Sequence, residues 1–151
     1  MRKVAIIGGV RTPFVKSMNQ YTGKSNKDLV TAAIRALVKK YNLENKILGD
    51  VALGAVMKNA EDWNLSRETV LQSGLHPQTP GYDVQRACGT GMETISQLAL
   101  KIAASAPATM LPPLKIGTSK PTAISLTNLL LGPGGGVLLL EILPLALIVG
   151  K

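Results

Sequence analysis

Two short apolar runs with a helical pattern between them restrict this chain to few topologies. Val4 to Ile7 is a continuous β-branched and apolar stretch closed by Gly8 and Gly9, the pattern of a strand buried on both faces of a parallel sheet. Thr12 and Pro13 break it, and Tyr21 to Ser25 read as a polar loop. Leu29, Ala32, Ala33, Ala36, Leu37 and Tyr41 then recur at helical spacing, while Lys27, Arg35, Lys39 and Lys40 fall elsewhere on the wheel. Ser25 or Asn26 caps this helix, with Asp28 in its first turn. After a turn over 42–49, Val51 to Val56 supplies a second strand with Gly54 inside it. Strand, helix and strand at this spacing form a βαβ unit, whose crossover is right-handed in nearly all cases. The fold class that follows is α/β, a mainly parallel sheet with helices on both faces.

Leu65 to Ser73 reads as a short helix ended by Gly74. A third strand, Tyr82 to Gln85, leads to Cys88, the one cysteine of the chain, and Gly89 and Gly91 open a helix to Ala104. Met92, Ile95, Leu98, Ala99 and Ile102 form its apolar stripe. A thiol at a strand-to-helix turn suits nucleophilic chemistry: the first N–H groups of a helix lack intrahelical partners, and the positive end of its dipole favours an anion. The glycines remove side chains around the sulfur, so a carbonyl can approach and an N–H can receive the developing oxyanion. Against this, a lone cysteine is as a rule a small buried hydrophobe. Exposure separates the two readings.

The formal charge of +8 suits an anionic partner without choosing among nucleic acid, an acidic membrane surface and a phosphate-rich cofactor. Phe14, Tyr21, Tyr41, Trp63 and Tyr82 are scattered rather than interleaved with basic residues, which argues against a nucleic-acid stacking platform. One cysteine excludes an internal disulfide, and a reducing cytoplasm is the simplest home. No metal site assembles from His76 and Cys88, the only histidine and cysteine. His76 sits in a Leu-His-Pro loop, and the adjacent Glu61 and Asp62 read as a solvated acidic pair rather than as general acid and base.

Beyond Ala104 the character of the chain changes. From Ser105 onward there is no aromatic residue, a single acid (Glu141), and prolines from Pro107 to Pro144. Gly132 to Gly136 interrupts any continuous helix. The apolar runs on either side are too short to span a bilayer, and Glu141 and Pro144 count further against a span. Gly134 to Gly136 lacks the lysine of a phosphate-binding loop. We therefore divide the chain at 1–104 and 105–151, the second part an apolar, Pro- and Gly-containing tail.

The segment Gln85-Arg-Ala-Cys88-Gly-Thr-Gly resembles the nucleophile motif of the thiolases, in which a cysteine followed by small residues opens a buried helix. Arg11-Thr-Pro-Phe14 after the first strand, Asp50 to Val56, and Asn64-Leu-Ser-Arg67 with Gly74 and Gly81 keep that family's order and spacing. The resemblance runs from Met1 to about Ala104, and the Asn64–Arg67 spacing is most similar to the long-chain, fatty-acid-oxidation branch. It implies an incomplete thiolase-like fold and acyl transfer between acyl-CoA and CoA or acetyl-CoA through a thioester on Cys88. The Cys88 N–H would be one oxyanion donor. Coenzyme A thioesters would be substrates, with no permanently bound cofactor, and the protein would be a homo-oligomer with Tyr82 to Arg86 at the contact. The resemblance assigns no chemistry to Arg86. It also implies a distal histidine and a second cysteine, neither of which these residues supply. Two rivals follow: an inactive truncated or frame-shifted fragment, and a basic membrane-associated protein.

Overall fold

The computed structural model describes residues 4–16, 18–104, 122–125 and 145–150, the last two stretches by their backbone. Five strands and three helices follow one another as β1 (Val4–Val10), α1 (Asn26–Lys40), β2 (Asp50–Leu53), α2 (Leu65–Ser73), β3 (Gly81–Asp83), α3 (Thr90–Ala104), β4 (Thr122–Ser125) and β5 (Leu145–Gly150). They form one sheet in the order β1-β5-β4-β2-β3. β2 pairs parallel with β3 and with β4, and β5 pairs antiparallel with both β4 and β1. Four of the five strands thus run one way and β5 runs against them. β1 and β2 are parallel across the α1 crossover, as the strand-helix-strand order requires, but β5 and β4 lie between them. The glycine-rich stretch 132–136, Glu141 and Pro144 lie outside the described residues. Among the described residues no helix is long and apolar enough to cross a membrane.

Strand alternation at β2 distributes the core between two layers. Val51 and Leu53 face α1 and α2, joining Val30, Ile34, Leu37, Val38, Leu65 and Val70 in the larger cluster. Ala52 faces the other way and packs with Leu98 and Ile102 of α3. Helices therefore cover both faces, with α2 and the longer α1 on one and α3 on the other. The burial of Ile34 and Leu37 is complete, and truncating either to alanine removes about 2–5 kcal/mol of packing.

Local signals hold these helices in place. Ser25 caps α1 in a reciprocal box: its hydroxyl accepts from the Asp28 N–H at 3.1 Å, and the Asp28 carboxylate accepts from the Ser25 N–H at 2.9 Å. The hydrogen bond from the Ser25 backbone N–H foremost, and the Ser25 side chain after it, hold the Asp28 carboxyl below its ordinary pKa. Gly74 ends α2 with φ 90°, a left-handed conformation that suits glycine.

Several expectations are corrected. β1 is an edge strand, not one buried on both faces: Ile6 and Ile7 are 60% and 51% exposed, because the border of the sheet is only partly covered. The α1 face is rotated. Ala32 and Ala36 are exposed, and Val30, Ile34 and Val38 are buried in their place, since larger side chains remove more apolar area from water. Met92, assigned to the α3 stripe, is 59% exposed, and the buried positions of the first turns are Thr90, Gly91 and Thr94.

Candidate functional site

The loops after β2 and after β3 emerge at the same edge of the sheet, the carboxyl end of parallel strands, where open α/β sheets bind their ligands. Val84 extends the β2–β3 pairing by donating its N–H to the Leu53 carbonyl at 2.8 Å. Gln85 Nε2 then donates to the Val56 carbonyl at 2.7 Å, tying the second loop to the first. Close approach here depends on Gly54, where a Cβ would collide with the Val84 carbonyl oxygen and lie 2.5 Å from Thr90 Cγ2.

Cys88 lies in the middle of a short 3-10 turn, Ala87–Gly89, that runs directly into α3. Its side chain is exposed. That outcome goes against the buried-hydrophobe reading and leaves the sulfur at the N-terminal end of α3, where the helix dipole favours negative charge. Ala87 has φ 43°, a left-handed conformation that costs a non-glycine residue about 1–2 kcal/mol. The turn is closed by Thr90. The Arg86 N–H donates to Thr90 Oγ1 at 2.9 Å, the Thr90 hydroxyl donates to the Ala87 carbonyl at 2.9 Å, and the Thr90 N–H reaches the same carbonyl. Gly89 N–H donates to the Arg86 carbonyl at 2.9 Å. The N–H groups of Gly89 and Thr90 are thus engaged within the turn.

Arg86 forms an ion pair with Glu93 across the first turn of α3, and Gln97 Nε2 donates to the same carboxylate at 2.9 Å. The Gln97 hydrogen bond, followed by that from Arg86, holds Glu93 below its ordinary pKa. The guanidinium is thus tied to the helix that follows the turn.

Other polar residues of this region have structural work. Asn64 caps α2, accepting from the Arg67 N–H at 2.9 Å. Arg67 Nη1 donates to the carbonyls of Pro77 and Thr79, at 2.6 and 3.0 Å, and clamps the 77–80 loop. Asp62 is not solvated, as its place beside Glu61 suggested. It is 3% exposed and paired with Lys27 at 3.3 Å, because the 57–64 loop folds back over the start of α1, where Asn26 Nδ2 also donates to the Met57 carbonyl at 2.5 Å.

His76 lies at the opposite edge. Its N–H donates to the Lys46 carbonyl at 3.1 Å and its Nδ1 accepts from the Gln78 N–H at 3.1 Å. The adjoining Pro80 carbonyl accepts from Val51 at the amino end of β2. The strands therefore separate His76 from Cys88. Among the described residues no group of three or more His, Cys, Asp or Glu is arranged to hold a metal ion.

Sequence reasoning missed Thr90, Gly54 and the left-handed Ala87. A hydroxyl residue just inside a helix start is a capping signal, and Thr90 carries it, but its partners were not legible without the turn. The exposure of Cys88 carries a first prediction. Iodoacetamide at neutral pH is expected to alkylate Cys88 in the folded protein, with intact-mass spectrometry showing one adduct before any denaturant is added. Labelling that begins only in denaturant would return the thiol to the core.

Comparison with known proteins places these features in a family. The model described as "Thiolase, N-terminal domain" matches residues 4–111. The 3-ketoacyl-CoA thiolase of Aliivibrio fischeri (strain ATCC 700601 / ES114) is 33% identical over 102 residues, 68% of this chain and 23% of that protein. The 3-ketoacyl-CoA thiolase of Pseudoalteromonas atlantica is 31% identical over 136 residues, 84% of this chain and 31% of that protein. Among solved structures, the Bacillus anthracis acetyl-CoA acetyltransferase superposes with a TM-score of 0.67 at 23% identity, covering 85% of this chain and 29% of the other. The chain spans about a quarter to a third of the length of the relatives it matches.

Proposed function

We propose a function from one premise: the chain belongs to the thiolase family, whose N-terminal domain it matches over residues 4–111. The reading is acyl transfer between acyl-CoA and CoA or acetyl-CoA, with Cys88 as the acyl acceptor and 3-ketoacyl-CoA thioesters as the substrate class. The observation that carries it is an exposed thiol in the turn that opens α3, at the carboxyl edge of the sheet.

In the acylation step the Cys88 thiolate attacks the carbonyl carbon of an acyl-CoA. A new carbon–sulfur bond forms, the bond from that carbon to CoA breaks, and the CoA thiolate leaves and takes up a proton. In the degradative direction the thiolate instead attacks the 3-keto carbonyl of a 3-ketoacyl-CoA, the C2–C3 bond breaks and acetyl-CoA leaves as a carbanion that takes up a proton. CoA then attacks the Cys88 thioester and carries the shortened acyl group away. The carbanion and proton-transfer steps of the family need a second cysteine and a histidine, and these 151 residues hold one cysteine and only His76. Acylation of Cys88 is therefore the half-reaction within reach of this chain, and sustained thiolysis is not. The division of the chain at Ala104 belongs to the same reading. The family match ends near that boundary, at residue 111, while the match to the Pseudoalteromonas atlantica relative covers 84% of the chain and the sheet takes in β4 and β5.

The test is intact-mass spectrometry after incubation with acetyl-CoA, alongside loss of acetoacetyl-CoA in the presence of CoA. One acetyl adduct on Cys88, absent from Cys88→Ala, with thiolysis at background, is the expected result. No adduct on the parent chain would sink the assignment of Cys88. Thiolysis well above background that vanishes in Cys88→Ala would show the chain to be a complete enzyme.

A further inference from the structure

We propose that Thr90 is a positioning residue for Cys88, its hydroxyl holding Ala87 in the left-handed conformation that presents the sulfur. The functional meaning of this role rests on Cys88 being the acyl acceptor. The geometry itself is independent of that reading.

Three observations converge on Thr90. Its side chain is fully buried, yet its oxygen serves the turn from both sides, accepting from Arg86 N–H and donating to the Ala87 carbonyl, each at 2.9 Å. These two partners flank the peptide unit that enters Ala87, whose φ of 43° is the one left-handed value between β3 and α3. A non-glycine residue holds such a value only when its surroundings over-determine it. Finally, the methyl of Thr90 is seated against Gly54, where no Cβ fits. The hydroxyl is thereby aimed at the turn and not at solvent, and its χ1 has little freedom.

The physical consequence is a division of labour within one side chain. The methyl locks the rotamer from the β2 side, and the oxygen bridges Arg86 and Ala87. Without the oxygen the Arg86 N–H loses its acceptor and Ala87 can relax toward negative φ, which would rotate the Cys88 peptide away from the axis of α3. Valine has nearly the same shape as threonine and lacks the oxygen, so Thr90→Val separates bridging from packing. Thr90→Ser keeps the oxygen and loses the methyl. Ala87→Gly removes the steric cost of left-handed φ, so the bridge should matter less in that background.

The readout is the second-order rate of Cys88 alkylation by iodoacetamide, with the thermal midpoint recorded for every variant. Thr90→Val is expected to change that rate by about fivefold or more, the size of a lost hydrogen-bond pair acting against a left-handed residue. Thr90→Ser should stay within about twofold of the parent, since one hydrogen-bonding oxygen is retained. The double variant Ala87→Gly with Thr90→Val should return toward the rate of Ala87→Gly alone, a coupling that a merely structural contribution to stability would not produce. A Thr90→Val rate equal to that of the parent would overturn the proposal. So would a Thr90→Ser rate matching Thr90→Val, or a double variant that fails to recover. Acetylation by acetyl-CoA is measured separately: if Cys88 alkylates as described but is never acetylated, the acyl-transfer reading fails and the positioning of the thiol stands.

Discussion

Gly54→Ala is expected to lower the stability of the chain by about 3 kcal/mol or more. The added methyl would point at the Val84 carbonyl oxygen and at Thr90 Cγ2, with the Val84 carbonyl carbon 3.2 Å away. Backbone cannot yield here, because Val84 N–H is bonded to the Leu53 carbonyl and the next residues are tied down by Gln85 and Thr90. Overpacking of a tight core costs about 1–3 kcal/mol where side chains can shift, and more where the obstacle is backbone. A domain of this size has only about 5–15 kcal/mol in hand. The control is Gly23→Ala. Gly23 has φ 79° but nothing within 4 Å of the new methyl, so only the left-handed cost of about 1–2 kcal/mol applies. Urea denaturation followed by circular dichroism compares the two. A Gly54→Ala chain with a cooperative transition at the parent's midpoint would mean that β2 and the Cys88 turn are not locked together.

The second large effect is expected at Asp83, at the end of β3. Its carboxylate accepts from the N–H groups of Leu65 and Ser66, at 3.0 and 2.9 Å, from the Ser66 hydroxyl at 2.8 Å and from Lys58 Nζ at 2.8 Å. It therefore satisfies the start of α2 from outside the helix, while Ser66 links it onward to the Tyr82 carbonyl and the Leu53 N–H. Burial pushes the Asp83 pKa up, but the hydrogen bonds from Lys58, Ser66 and Leu65 outweigh it and hold the carboxyl below its ordinary range. A depressed folded-state pKa means that the unfolded chain binds the proton more readily. The stabilisation is complete above the unfolded pKa of about 4 and is lost as pH falls through the lower folded value.

Asp83→Asn is expected to lower stability at neutral pH by about 2–4 kcal/mol, because it leaves buried donors and Lys58 without their anion. The variant should also lose much of the parent's steep decline below about pH 4. Urea midpoints measured from neutral pH downward check both. Parallel acid limbs for parent and variant would show that other carboxylates carry the acid sensitivity.

How much of this was legible beforehand differs by element. The bounds of α2, Leu65–Ser73, and its Gly74 terminator match the sequence reading, as does the Ser25–Asp28 start of α1. Each of these is written in residues within a few positions of one another, where capping and left-handed φ operate. The strand before Cys88 and the helix after it were legible for the same reason, and with them the placing of the thiol at a helix start. The α/β class followed from the alternation of strand and helix patterns.

What local pattern could not decide depended on which parts of the chain meet. Ala32 and Ile34 are equally compatible with an α1 stripe, and only the position of α1 against β2 and α2 buries the second and exposes the first. Val4 to Ile7 reads as a doubly buried strand, yet the sheet places it at the border. Asp62 was drawn out of solvent by Lys27, a residue distant in sequence. The Thr90 methyl is seated against Gly54, a residue far from it in sequence, and its hydroxyl reaches the Ala87 carbonyl. Capping and periodicity act over one turn of helix or one strand, so residues near in sequence suffice to specify them. Burial, ion pairing and close approach depend on surfaces brought together by chain closure, and their energy exists only once the partners have met.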